Sequence, residues 1–203
     1  LTPVENAQRY FKRYAKARSA QAAVQAQLDA ALAELAYLEQ AAVHIELADS
    51  EDALSDIEAE LAGAGVVPPP SPGATPSPSE PGKASTQDRN ASRWAQEGAA
   101  GPIEARTSRG ARVRIGRSNR QNDRLTLRTA RPDDIWLHVK DLPGAHVILE
   151  VQGEPAEEDL REAAVLAAYF SKARHSSNVA VDWTRARHVR KPKGARPGMV
   201  IYD

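Results

Sequence analysis

The 203-residue sequence contains no cysteine. This absence excludes disulfide bonds, zinc sites built on thiolates and any cysteine nucleophile. No apolar run approaches the roughly 18 residues of a membrane-spanning helix, and no signal peptide is visible. Aromatic residues make up only 5% of the chain. The sequence begins at Leu1 rather than methionine, so we read it as a fragment of a longer protein, which we expect to be cytoplasmic.

Sequence signatures of catalysis are also missing: there is no P-loop, no GxGxxG and no nucleophile elbow. One enzyme hypothesis stays open. His138 and His146 could be near neighbours on a hairpin, where Asp123, Asp134 or Asp141 would complete a metal site or an acid–base pair. Because no helix supplies a paired histidine motif, we predict no enzyme activity, no cofactor and no metal, and keep a metal-dependent enzyme as an alternative.

The formal net charge of zero conceals an asymmetry along the chain. Residues 1–65 hold five basic and eleven acidic side chains, whereas residues 106–203 hold nineteen basic and twelve acidic ones. The C-terminal part therefore carries a net charge of +7, which indicates contact with nucleic acid. The alternative is a soluble domain that is basic without such a partner.

Residues 1–65 are predicted to form a helical coiled-coil arm. Thr2, Pro3 and Glu5 have the spacing of a capped helix start. Further along, apolar residues alternate spacings of four and three, as in a heptad repeat. Such a stripe needs a partner helix, from a missing part of the protein or from another chain. The stripe consists of Val24, Leu28, Ala31, Leu35, Leu38, Ala42 and Ile45. A short helix is expected to follow, capped by Asp49 or Ser50, with Ala53, Leu54, Ile57 and Leu61 inward.

Residues 66–105 are predicted to be a mostly disordered, Pro-rich linker. Seven of the fourteen prolines lie between residues 66 and 82, and nothing large and apolar follows Val67 in that stretch. Such a composition is typical of a semi-extended, unpacked segment. Trp94 is a possible anchor in the marginal region beyond it.

Residues 106–203 are predicted to form an α+β domain, with an antiparallel or mixed sheet and one main packed helix. The helix is expected at 155–174, because its first turn is acidic and its inner stripe is rich in alanine. Residues 116–123 are expected to be a loop. The predicted strands are 112–115, 124–129, 134–140, 146–151, 179–183 and 199–202.

The hairpin of residues 134–151 organises this domain. Its first strand alternates with period two, so it has two chemically different faces. A type II turn over residues 142–145 is expected, with Pro143 at its second position and Gly144 at positive φ. The inward set is Ile135, Leu137 and Val139, and the outward set is Trp136, His138 and Lys140.

The outward positions of the predicted strands are mostly basic. On one sheet they would form a positive surface with an aromatic ring at its centre, an arrangement that binds RNA by stacking a base and neutralising phosphates. The alternative is a solvated sheet face. A basic loop with Arg190, Lys191 and Lys193 adds positive charge that favours phosphate. The outward positions are Arg112, Arg114, Arg124, Arg128, Trp136, His138, Lys140 and His146.

Four segments of the C-terminal part resemble the RNA-binding domain of NFACT proteins, NFACT-R. They are GRSNRQNDRLT (116–126), DIWLHVKDLPGAHV (134–147), EAAVLAAYFS (162–171) and KPKGARPG (191–198). Residues 6–14 and 36–39 are similar to the coiled-coil arm that precedes this domain in the same proteins. The linker looks like an insertion. Ser118 departs from the family pattern, in which asparagine is more frequent.

The resemblance implies a role in ribosome-associated quality control. Family members bind a large ribosomal subunit obstructed by peptidyl-tRNA, recruit alanyl-tRNA and support C-terminal alanine tailing. The tRNA-selecting N-terminal domain has no counterpart here, and rRNA and tRNA are the partners expected, with no membrane. An older family name suggests the alternative of a surface adhesin for fibronectin or extracellular matrix. The predicted RNA-binding residues are Arg117, Asn119, Asn122, Asp123, Trp136, His138, Lys140, His146, Arg190, Lys191 and Lys193.

Overall fold

The computed structural model describes residues 2–68 and 100–202. The chain divides into two units, Leu1–Leu38 and Glu39–Asp203. Most of the predicted linker, including Trp94, lies outside the described residues. Within the described ranges, no helix has the length and apolar character needed to cross a membrane.

The first unit is helical from Pro3 onward, as part of helix α1 (Pro3–Glu46). The predicted capping box is present, because the Thr2 backbone N donates to Glu5 Oε2 (2.7 Å) and the Glu5 backbone N donates to Thr2 Oγ1 (3.3 Å). Val24, Leu28 and Leu35 of the heptad stripe are exposed. The pairing of this stripe in a coiled coil stays a prediction.

A basic-aromatic band occupies residues 9–18 of α1. All five basic residues of the first unit lie in this band, and it contains no acidic residue. Tyr10, Phe11 and Tyr14 expose more than half of their surface there. The Arg13 guanidinium lies over the Tyr10 ring, 6.0 Å from its centroid. The band therefore combines positive charge with accessible rings.

Helix α2, Glu51–Gly63, follows in the second unit. Ser50 caps it as predicted, since its Oγ accepts a hydrogen bond from the Ala53 backbone N (3.3 Å). The expected inward residues Ala53, Ile57 and Leu61 are buried, but Leu54 is exposed. The inward prediction for Leu54 is wrong because one residue turns the helix by about 100° and carries it off the stripe.

A five-stranded sheet and one main helix form the centre of the second unit. Their bounds are β1 Ile103–Arg106, β2 Arg112–Ile115, β3 Ile135–Val139, β4 Val147–Leu149, α4 Glu157–Tyr169 and β5 Val181–Arg185. The sheet is antiparallel throughout and has the strand order β1-β2-β4-β3-β5. Helix α4 packs on one face through its alanines, and the predicted α+β fold with one main packed helix is confirmed.

The opposite face of the sheet is covered by short elements. Helix α3, Asn119–Arg124, continues directly into a π-helix, Leu125–Thr129. After β5, a 3₁₀ turn, Ala186–His188, leads into a small hairpin of β6, Val189–Arg190, and β7, Ile201–Tyr202.

The predicted strand at 124–129 is therefore wrong. Leu125 and Leu127 suggested alternation, yet Leu125 is 0% exposed and Leu127 is 39% exposed. The residues that face the protein interior follow helical spacings of three and four and include polar Asn122 and Thr126. Ser118 starts the helix, because its Oγ accepts from the Gln121 backbone N (3.2 Å).

The predicted hairpin is confirmed, with Ile135 opposite Leu149 and Leu137 opposite Val147. The predicted type II turn is wrong, because the residue with a left-handed backbone conformation is Asp141 (φ 53°) and not Gly144. Gly144 serves a different purpose. It pairs with Ser171 after α4, and a Cβ on Gly144 would lie 2.8 Å from Ser171 Cβ.

Candidate RNA-binding groove

The outward set of β3 does lie on one sheet face, but that face is not open to solvent. Trp136 is 0% exposed and packs with Leu125, Ile148 and Val189. The Tyr202 ring lies 4.7 Å from the Trp136 ring between centroids. The π-helix and the β6–β7 hairpin thus cover the predicted platform. The expectation that Trp136 stacks a base is wrong, because no face of its ring is accessible.

The arginines predicted on this face are engaged within the sheet. Arg114 Nη2 lies 2.9 Å from Glu150 Oε1, and its Nε lies 3.5 Å from Glu104 Oε1. Arg112 Nη1 is 4.0 Å from the same Glu150 oxygen. These carboxylates neutralise the positive charge that the sequence pattern suggested for the outer strands.

A buried polar network replaces the predicted surface. Asn122 Oδ1 accepts a hydrogen bond from the His146 backbone N (3.0 Å). Its amide nitrogen therefore points to His44 Nε2 (3.2 Å) and donates to it. His146 Nδ1 lies 2.8 Å from Thr126 Oγ1. A Cβ on Gly116 would lie 2.1 Å from Asn122 Oδ1, so glycine leaves the room that this amide fills.

The buried imidazoles are neutral at neutral pH. Burial, with a smaller contribution from the neighbouring His138, lowers the pKa of His44 to about 4. Burial also takes the pKa of His146 well below its usual value, with smaller contributions from His138 and His44. The pKa of His138 is lowered by burial as well. A neutral ring suits His44, which must accept the Asn122 amide hydrogen. Asn122 and His146 thus stabilise the fold and do not face a ligand.

One of the aspartates that the enzyme hypothesis needs, Asp134, is held by backbone hydrogen bonds away from the histidines. His138 and His146 do lie side by side, with ring centroids 5.5 Å apart. Asp134, however, accepts from the backbone N of Arg131 (2.8 Å) and of Val151 (3.3 Å). Within the described residues, no group of three or more histidine or acidic side chains could hold a metal ion.

A groove with a volume of about 700 Å³ lies alongside α2, α3 and the π-helix. Of the described side chains that line it, four are basic and two are acidic, so this part of the lining has a net positive charge. Its volume falls in the range of ligand-binding clefts. The described lining residues are Asp56, Ala59, Ala100, Ser118, Arg120, Gln121, Asp123, Arg124, Leu127, Arg128 and Lys191.

Three arginines of this groove form a stripe on consecutive helical turns. Arg120, Arg124 and Arg128 are spaced by four residues, which brings them to the same side of a helix. Within the described ranges, neither Arg120 nor Arg128 forms a salt bridge. The stripe was missed because 116–123 was read as a loop and 124–129 as a strand. The spacing of four between successive arginines was the signal that could have revealed it.

Two of the predicted RNA-binding residues line the groove. Asp123 pairs with Lys191 Nζ and also accepts from the Gly198 backbone N (2.9 Å). This carboxylate fixes the basic loop against α3. Arg190 and Lys193 are exposed on either side of Lys191 in the chain.

The other predicted residues lie outside the groove. Arg117 forms an ion pair with Asp49, and Lys140 is exposed at the end of β3. Asn119 is buried, and within the described residues neither atom of its amide has a hydrogen-bond partner. His138 is half-buried and stacks on Trp136, with ring centroids 5.7 Å apart.

An α+β domain with a positively charged groove is typical of nucleic-acid-binding modules. Comparison with known families supports this class. Residues 103–202 match the NFACT protein RNA binding domain, and residues 1–75 match the NFACT N-terminal and middle domains. The chain belongs to the NFACT family, as its sequence motifs predicted.

Curated relatives match along the whole chain. The Rqc2 homolog RqcH of Bacillus subtilis (strain 168) is 40% identical over 202 residues, which are 100% of this chain and 32% of that protein. RqcH of Streptococcus suis (strain 05ZYH33) is 33% identical over 100% of this chain and 33% of that protein. The chain thus spans about a third of the length of these relatives.

A solved structure has the same fold. It is the C-terminal part of the fibronectin/fibrinogen-binding protein from Streptococcus suis. The TM-score is 0.79 at 32% sequence identity, and the match covers 100% of this chain and 73% of that one.

Proposed function

We propose that this chain is the RNA-binding part of an NFACT protein that acts in ribosome-associated quality control in the cytoplasm. The observation that carries the proposal is the arginine stripe of the groove, which lies within the residues that match the family's RNA-binding domain. Arginine on an exposed helix face neutralises phosphate, the dominant source of affinity for nucleic acid. The proposed activity is binding and not catalysis.

The proposed target is a large ribosomal subunit obstructed by peptidyl-tRNA. Docking there would support the recruitment of alanyl-tRNA for C-terminal alanine tailing, with tRNA selection left to parts outside this chain. Helix α1, with 44 residues, is about 66 Å long at ~1.5 Å per residue. Its basic-aromatic band (9–18) would provide a second contact with ribosomal RNA, since it joins positive charge to exposed rings.

Sedimentation with ribosomal subunits tests the proposal. The groove variant is Arg120→Gln/Arg124→Gln/Arg128→Gln, because glutamine removes the charge and keeps a good helix former. The control variant, Arg106→Gln/Arg109→Gln/Arg161→Gln, removes the same charge from exposed positions outside the groove. We expect wild type and control to travel with the large subunit and the groove variant to lose about tenfold or more in affinity. Equal sedimentation of all three proteins would contradict the assignment of the groove.

A second candidate function comes from the name of the protein whose solved structure has the same fold, a fibronectin/fibrinogen-binding protein. Under that hypothesis the chain would bind matrix proteins at a cell surface. Immobilised fibronectin, probed with the same three proteins, distinguishes the two functions. Saturable binding of fibronectin together with no ribosome association would favour the adhesin.

A further inference from the structure

Among the residues that the structure describes, the groove is lined by basic side chains and by no aromatic ring. These basic side chains come from α3, the π-helix and the loop after β6, and the described apolar lining consists of two alanines and Leu127. Proteins that hold single strands stack successive bases on aromatic side chains. Trp136 packs beneath the π-helix and presents no ring to a base. The groove is therefore suited to a phosphate backbone and poorly suited to unstacked bases.

The arginines of the groove form a row along one line. Successive members are four residues apart, which is about 6 Å along a helix. This separation is comparable to that of successive phosphates along one strand of an RNA helix. The π-helical turn that carries Arg128 shortens the rise slightly and still leaves Arg128 in the groove lining. One strand of a regular duplex can thus meet three arginines in succession.

The backbone that carries the row is held in place by contacts within the protein. Glu60 Oε2 accepts from the Arg120 backbone N (2.9 Å), and Ser118 caps the helix below it. Asp123 holds Lys191 and the Gly198 backbone N on the opposite side. Because this backbone is already ordered, less freedom is lost when the row meets a ligand that carries charges at regular intervals. Double-helical RNA has that regularity, and proteins recognise it by backbone and shape.

We propose that the groove binds the phosphate backbone of double-helical RNA, without regard to base sequence. The inference rests on the proposed function and specifies the form of RNA that the groove accepts. Arg120, Arg124 and Arg128 contact phosphates along one strand. Lys191 is already paired with Asp123, so this pair adds no net charge and serves to hold the basic loop beside the row.

Fluorescence anisotropy with the intact chain tests this inference. The probes are a labelled RNA hairpin with a stem of about 16 base pairs and an unstructured oligouridine of the same length. Wild type, the groove variant and the control variant are each titrated at several salt concentrations. We expect the groove variant to lose about tenfold or more in hairpin affinity, with a salt slope smaller by about 2 to 3. Oligouridine affinity should change about twofold or less, since the exposed rings of the basic-aromatic band are intact.

Two results would overturn the inference. One is an equal loss of hairpin and oligouridine affinity in the groove variant, and the other is an unchanged salt slope for the hairpin. If either occurs while the groove variant still fails to sediment with ribosomes, the proposed function stands and only the form of RNA is wrong. If the hairpin result is as expected but wild type never associates with ribosomal subunits, the proposed function fails and the duplex-binding groove stands.

Discussion

The two faces of the five-stranded sheet are built from different chemistry. The face under α4 is aliphatic, with Val113, Ile135 and Leu137 against the alanines of the helix. The other face holds Trp136, buried histidines and Asn122 beneath the π-helix and the β6–β7 hairpin. Both faces are covered at the central strands β3 and β4. The first is held by apolar packing, whereas the second depends also on hydrogen bonds that require neutral imidazoles.

This difference shows that polar side chains on alternate residues of a strand do not by themselves indicate a solvent-exposed face. Aromatic, imidazole and amide groups on alternate residues are as suitable for a buried hydrogen-bonding layer as for a ligand-binding surface. Buried polar groups must find partners, and His146, Asn122, His44 and Thr126 find them in one another. The surface that remains for RNA is the outer side of the covering elements, where the arginine stripe lies.

The largest expected effect tests whether the second face is a core. Trp136→Ala should lower the free energy of unfolding by about 4 kcal/mol, because it removes a large, fully packed side chain. Leu137→Ala on the α4 face should cost about 3 kcal/mol. Urea denaturation followed by circular dichroism measures both. Trp183→Ala is the matched control, since Trp183 lies on the neighbouring β5 and is 51% exposed, and it should cost about 0.5 kcal/mol or less.

A loss for Trp136→Ala as small as that for Trp183→Ala would mean that Trp136 is accessible. The hypothesis that Trp136 stacks a base would then be supported, and the polar face would be more exposed to solvent than the face under α4.

The second prediction concerns the effect of pH on the polar face, whose buried histidines must stay neutral. His44 has a pKa of about 4 in the folded protein, against about 6.5 when unfolded. The folded state therefore binds fewer protons, so this stability is complete above about pH 6.5 and is lost as the pH falls towards 4. His44 alone should account for a loss of about 3 kcal/mol between about pH 7 and about pH 4. Urea denaturation at a series of pH values measures the slope.

His44→Gln isolates this contribution, because an amide oxygen can still accept from Asn122 but does not titrate. The variant should show a shallower dependence on pH than wild type. His175→Gln, at an exposed position, should keep the wild-type dependence. Identical slopes for wild type and His44→Gln would show that the buried imidazole is not the group that senses acid.

The smallest of the three effects concerns the amide that joins the network. Asn122→Ala leaves the His146 N–H and His44 Nε2 without partners, at an expected cost of about 2 kcal/mol. Asn119→Ala is the matched control on the same helix, since Asn119 is equally buried but its amide has no hydrogen-bond partner within the described residues. Its loss should be under about 1 kcal/mol. Equal losses for the two variants, measured by thermal unfolding, would contradict the role given to Asn122.

Much of the fold could be read from local pattern. The capping box at Thr2, the Ser50 cap and the two-residue alternation of β3 each depend on residues close in sequence, and each is present in the structure. The helix at 119–129 could not be read in this way. Its buried side includes Asn122 and Thr126, and a search for apolar periodicity does not register polar residues that are buried by hydrogen bonding.

The candidate site was only partly predictable for the same reason. Asp123, predicted in the loop 116–123, and Lys191, predicted in the basic loop, both line the groove. The sequence pattern predicts Arg124 and Arg128 on a strand and Arg120 in a loop. Because these three arginines lie on helical turns, their spacing of four brings the side chains to one side. The predicted loop and strand would instead have put Arg120 on a different element from Arg124 and Arg128.

The sequence by itself determined the NFACT family, the charge asymmetry and the two-faced hairpin, because these follow from residue identity and short-range spacing. Only the tertiary structure decided which faces of the sheet are exposed to solvent. Leu125, Val189 and Tyr202 come from segments distant in the chain, and together they cover Trp136. Solvent exposure depends on what packs above a residue, which local sequence does not specify. The basic surface consequently lies on the cover, along Arg120, Arg124 and Arg128.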